Sequence, residues 1–158
     1  MSDTIISVTR RRFCAGACQV ASGATIATLF SACGGDSSPT GPSSPASALN
    51  RVAGRFTGSG VQATVSGSPL TDVGGAALVE SNAGVFLVAR TSASAFTAIE
   101  AVCTHEGCTI TGAAGDIYVC PCHGSRYNRD GQVVNGPAKS SLRKYATTFT
   151  DGVVTIAL

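Results

Sequence analysis

The chain has 158 residues, with 11 Lys+Arg against 9 Asp+Glu and one basic run, Arg10-Arg11-Arg12. That balance lacks the basic face a nucleic-acid binder needs, and argues against that class. The stretch from Arg51 to Leu158, with eight basic and seven acidic side chains, suffices for one nearly neutral domain with a modest core. Seven cysteines and two histidines are the unusual entries in the composition, and four of the cysteines and both histidines fall between Cys103 and His123.

Residues 1–33 have the pattern of an export signal. Thr9-Arg10-Arg11-Arg12-Phe13 resembles the twin-arginine signature, and an uncharged stretch from Phe13 to Cys33 follows it. That is long enough to span a hydrocarbon layer of about 30 Å. Its composition favours a processed signal over a retained anchor, since only Phe13, Val20, Ile26, Leu29 and Phe30 are large and apolar. Phe30-Ser31-Ala32-Cys33 resembles a lipobox, which makes Cys33 the expected lipidation site. Cys14 and Cys18, four apart, are taken as small apolar residues of that signal. Residues 34–50 hold three Gly, five Ser, three Pro and one Thr and no aromatic residue, the composition of a flexible tether. Its r.m.s. span would be about 20–25 Å.

From 51 to 158 the chain alternates short apolar runs with turn residues. The runs are Val61 to Val65, Ala76 to Glu80, Val85 to Ala89, Phe96 to Ala101, Ile117 to Val119, Val133 to Val134 and Val153 to Ala157. Asn82-Ala83-Gly84, Asp130-Gly131 and Asp151-Gly152 are hairpin signals. No segment keeps a 3.6-residue period for three turns. The pattern predicts an all-β domain, a small antiparallel sandwich or barrel with site-bearing loops at one end.

Two boxes carry the chemistry: Cys103-Thr104-His105-Glu106-Gly107-Cys108 and Cys120-Pro121-Cys122-His123-Gly124-Ser125-Arg126-Tyr127. A structural zinc site also uses two cysteines and two histidines, but its usual spacing sets paired ligands further apart than Cys103 and His105, which have only Thr104 between them. It would also leave Cys108 and Cys122 unexplained. Covalent haem needs C-x-x-C-H, and Cys120-Pro121-Cys122-His123 is one residue short. A cysteine-protease nucleophile needs one cysteine and a distant histidine, not a cluster.

The boxes closely resemble the two cluster-binding loops of Rieske iron–sulfur proteins, C-T-H-x-G-C and C-P-C-H-G-S-x-Y. The interval from His105 to Cys120 is short for that family. The resemblance implies one [2Fe-2S] cluster, with Cys103 and Cys120 on one iron and His105 and His123 on the other. It implies a disulfide between Cys108 and Cys122, which suits an exported protein. It also implies that the hydroxyls of Ser125 and Tyr127 donate to a bridging sulfide and to the sulfur of the first cysteine ligand, which raises the reduction potential. Gly107 and Gly124 would let backbone approach the cluster, and Asn135-Gly136-Pro137-Ala138 resembles the third, proline-bearing loop over it.

No nucleotide-binding glycine pattern, flavin motif or second metal set accompanies the boxes, so the expected role is a one-electron carrier and not a self-sufficient catalyst. The implied setting is the outer side of a bacterial membrane, with lipid or the signal as anchor. Partners would be cytochromes of the b or c type, with quinol as a further candidate, as in a quinol–cytochrome c reductase-like chain. The alternatives are a small Rieske subunit of another periplasmic oxidoreductase and a redox sensor.

Overall fold

The computed structural model describes residues 45–158. The signal, Cys14, Cys18, the lipobox with Cys33 and most of the tether lie outside them. Among the described residues no helix is long and apolar enough to cross a membrane.

The strands, in chain order, are β1 Ser47–Ala48, β2 Arg51–Ala53, β3 Arg55–Phe56, β4 Gly60–Thr64, β5 Ala76–Ser81, β6 Gly84–Arg90 and β7 Phe96–Glu100. They continue as β8 Gly112–Ala114, β9 Ile117–Val119, β10 Arg126–Tyr127, β11 Val133–Asn135, β12 Lys144–Tyr145, β13 Thr147–Thr150 and β14 Val153–Ala157. One turn of 3-10 helix, Pro69–Thr71, is capped by the Ser68 hydroxyl, which accepts from the Leu70 N–H. Three sheets result, ordered β13-β14-β4-β3, β12-β7-β6-β5-β2 and β1-β8-β9-β10-β11.

The middle sheet is buried on both faces, and the side-chain period of two divides its residues cleanly. Ala77, Val79, Phe86, Val88, Phe96 and Ala98 join Val61, Val154 and Ile156 in one core. Leu78, Leu87 and Ile99 join Ile110, Tyr118, Tyr127, Cys103 and Cys120 in the other. Burial on both sides explains why these strands read as unbroken apolar runs in the sequence. It also places the two sulfurs directly on a packed layer.

Each of the seven apolar runs falls on a strand. Ser81 to Gly84 closes β5 on β6, and Thr150 to Val153 closes β13 on β14, as the turn residues predict. One pairing departs from the antiparallel expectation: β2 runs parallel to β5, Arg51 opposite Leu78. The long excursion through β3, β4 and the 3-10 turn supplies the crossover a parallel pair needs. A second departure lies at the tether. Ser47 and Ala48 form β1 against Ala113 and Gly112, and Leu49 N–H bonds to Thr111 O at 2.8 Å, so ordered pairing begins before Arg51. Leu49, packed against the second core, is the apolar residue that makes this worthwhile.

Ile156 is fully buried in the first core, and Val134 is 55% exposed. Ile156→Ala should cost about 2–5 kcal/mol of stability. Val134→Ala should stay within about 0.5 kcal/mol. Denaturant midpoints of the two variants against wild type check the difference.

Candidate metal centre

Both boxes fold into the same local shape. In the first, Cys103 N–H bonds to Cys108 O (2.8 Å) and Gly107 N–H to Cys103 O (2.9 Å); in the second, Cys120 N–H bonds to Ser125 O (2.8 Å) and Gly124 N–H to Cys120 O (3.1 Å). Each loop is thus closed on itself at a cysteine, with its return made at the glycine. Gly107 and Gly124 take φ of +74° and +71° there, a conformation that penalises any side chain.

The loops are tied to each other by the Cys108–Cys122 disulfide, across a Cα–Cα distance of 6.5 Å. That bond removes two thiols and leaves Cys103 and Cys120 as the free cysteines among the described residues, both 2% exposed. Burial pushes the Cys103 thiol up, but hydrogen bonds from Tyr127, from the His105 N–H, and from the Cys120 and Ser125 side chains outweigh it and hold it below the usual thiol range. Burial pushes the Cys120 thiol up, and proximity to Cys103 adds to this. The pocket therefore favours a thiolate at Cys103, with Cys120 as its neighbouring donor.

The histidines sit outside the sulfurs. Their ring centroids are 5.0 Å apart and the rings nearly perpendicular, at 85°. The His105 side chain is 28% exposed and that of His123 49%. His105 Nδ1 is buried and has no hydrogen-bond partner. An imidazole nitrogen in that position costs free energy unless a group in the site engages it, so it is a donor poised for a metal.

The close groups of potential ligand atoms among the described residues are His105, Glu106 and His123, and Cys108, Cys120 and Cys122, each within 4.8 Å. Neither group brings both free thiols and both imidazoles together, whereas tetrahedral zinc requires four donors at one point. A donor set divided into an inner thiol pair and an outer imidazole pair fits a two-metal cluster between them.

Tyr127 is fully buried, with Oη 3.2 Å from Cys103 Sγ. Burial, then the contact with Cys103, pushes its phenol up, so it keeps its proton and can donate to the sulfur. The Ser125 hydroxyl, also fully buried, accepts from the Ala138 N–H at 3.2 Å, which leaves its own proton free to donate. This bond draws the segment Asn135-Gly136-Pro137-Ala138 onto the second box. At Gly136, φ +100°, a Cβ would stand 2.6 Å from Ser125 Cα, so the approach requires glycine.

Two features were not read from the sequence. Thr104 donates from its hydroxyl to Ser140 O (2.6 Å) and lies 3.1 Å from Tyr127 Oη, linking the first box to the segment after the third loop. Glu106 places its carboxylate beside both histidines, 4.0 Å from His105 Nε2 and 3.6 Å from His123 Nδ1. The pattern of the boxes signals neither, because both depend on how separate loops meet.

An all-β domain with two matched loops presenting buried thiols below paired imidazoles offers the cysteine and histidine groups of an iron–sulfur protein. The chain belongs to the Rieske [2Fe-2S] domain family, whose model matches residues 61–146. Its cofactor is a [2Fe-2S] cluster. Among its relatives, the cytochrome b6-f complex iron-sulfur subunit of Chlorobaculum tepidum is 38% identical over 63 residues, covering 39% of this chain and 35% of that one. Cytochrome b6-f complex iron-sulfur subunit 2 of a Synechocystis species is 52% identical over 54 residues, covering 34% and 30%. The chain thus matches about a third of the length of these curated relatives. Among solved structures, the plasma membrane Rieske protein PetC3 of Synechocystis is 28% identical with a TM-score of 0.48, covering 52% of this chain and 86% of that one.

The disulfide closes a loop of sequence separation 14, worth about 3 kcal/mol in the chain-entropy model. Replacing both partners, Cys108→Ser with Cys122→Ser, should leave the fold intact and speed cluster loss. Iron release to a chelator, followed by visible absorption, checks this; release at the wild-type rate would show that the loops hold without the bond.

Proposed function

We propose that this protein is an exported one-electron carrier whose cluster is held by Cys103 and Cys120 on one iron and by His105 and His123 on the other. The observation that carries the reading is the vertical division of the donors: sulfurs buried on the second core, imidazoles at the solvent side. When bound, the [2Fe-2S] cluster takes up and gives back a single electron. The chain supplies everything else. Cys103 and Cys120 fix the inner edge on a rigid layer, and the loop hydrogen bonds limit rearrangement between oxidation states. His105 and His123 provide the exposed edge through which an electron enters and leaves. Tyr127 and Ser125 donate toward sulfur, favour the more negative reduced state and raise the potential.

The envelope setting rests on residues 1–50: a twin-arginine signal, Cys33 as the lipid attachment point, and a Ser/Pro/Gly-rich tether. The electron donor would lie at the membrane, and the acceptor would be a protein such as a cytochrome. The relatives' description as cytochrome b6-f complex subunits supports cytochrome partners; quinol is the further candidate donor.

Two experiments test this reading. Chemically reduced protein mixed with an oxidised c-type cytochrome should reduce one haem per chain while its own paramagnetic signal disappears; an unreduced haem and a persistent signal would overturn the relay. Tyr127→Phe and Ser125→Ala should each keep the cluster and lower its potential, by about 59 mV for every tenfold change in the one-electron equilibrium. Voltammetry of the loaded variants reads the shift, and potentials equal to wild type would remove the two hydroxyls from the account.

A further inference from the structure

Glu106 occupies the open position of the first box, C-T-H-x-G-C, and its carboxylate faces both histidines. Oε1 lies 4.0 Å from His105 Nε2 and Oε2 lies 3.6 Å from His123 Nδ1. Among the described residues these imidazoles are its ion-pairing neighbours, and no Lys or Arg is within that range. The negative charge is therefore not neutralised locally and is directed at the outer edge of the metal centre.

The geometry points to Glu106 as a redox-tuning residue that lowers the potential of the cluster and opposes the donors at Tyr127 and Ser125. The inference rests on the assignment of His105 and His123 as iron ligands. With two thiolates and two neutral imidazoles the oxidised centre is neutral, and one electron from the reducing partner makes it singly negative, with no bond formed or broken. A carboxylate held against the ligand rings repels that added charge. That repulsion favours the oxidised state. The Glu106 side chain is 60% exposed, so its charge is open to screening by salt. The site would thus combine two opposite adjustments: buried hydroxyls that raise the potential and are insensitive to salt, and one exposed carboxylate that lowers it in a salt-dependent way.

The test is voltammetry of the full-length, cluster-loaded wild type and the variants Glu106→Gln, Glu106→Leu and Glu106→Asp, at one pH and at low and high salt. Electron paramagnetic resonance of the same samples confirms mixed cysteine and histidine ligation. At low salt Gln and Leu should raise the potential, with about 59 mV for each tenfold shift in the equilibrium. Asp, which keeps the charge, should stay near wild type. The Gln difference should shrink toward about 1 M salt, where the Debye length is about 3 Å. Intact mixed-ligand clusters with the same potential in wild type, Gln and Leu would overturn the inference, as would an Asp shift as large as the Gln shift. Absence of histidine nitrogen couplings in the wild type would instead overturn the ligand assignment, and the inference with it.

Discussion

The structure depends on one constraint: two loops, each closed by backbone hydrogen bonds at its first cysteine, must face each other with their sulfurs inward. Cys103 and Cys120 each donate an N–H to the far end of their own loop and accept one at the carbonyl from the following glycine. The cysteine is thus the corner of its loop, and its side chain is buried on the second core. The disulfide between Cys108 and Cys122 then ties the two loops to each other. His105 and His123, a short step further along each loop, necessarily fall on the outer side. The same arrangement that buries the two thiols exposes the two imidazoles.

The remainder of the chain supports that arrangement from beneath. The middle sheet has a core on each face, so the layer carrying the sulfurs is itself packed against a second layer and resists deformation. Tyr127 joins the two functions, since its ring fills the second core and its hydroxyl reaches Cys103. A side chain pinned along its whole length holds a hydrogen bond to sulfur in one geometry, where a surface serine would not. Ser125 is held similarly by the Ala138 N–H, through a third loop that only glycine at 136 allows to approach.

Much of this was legible in the sequence, for identifiable reasons. The central strands announced themselves because burial on both faces makes them continuous apolar runs, and the hairpins because their turns contain glycine. The two boxes stood out because cysteine and histidine, rare residue types, recur in them, and the family resemblance implied the Cys108–Cys122 pair that the structure shows. Short strands such as β10 and β12 were silent, since elements so brief carry no periodicity and owe their pairing to neighbours, whereas the β8–β9 hairpin was readable from its turn through Gly112 to Asp116. β1 was hidden in a segment of linker composition, where Leu49 alone signals burial. The parallel β2–β5 pair was invisible because strand direction is set by the path between them, not by their residues. The contacts of Thr104 with Ser140 and of Glu106 with His123 were not readable because these partners are distant in sequence.

The central claim is that two cysteines and two histidines share one two-iron cluster, and it is tested most directly by counting nitrogen ligands. Pulsed electron paramagnetic resonance of the reduced protein, grown with natural-abundance and with ¹⁵N-labelled histidine, resolves nitrogens bound to iron. The account predicts two histidine nitrogen couplings, both changed by the label, with two iron and two sulfide per chain. No histidine coupling, or zinc in place of iron in protein produced with cluster assembly intact, would contradict it.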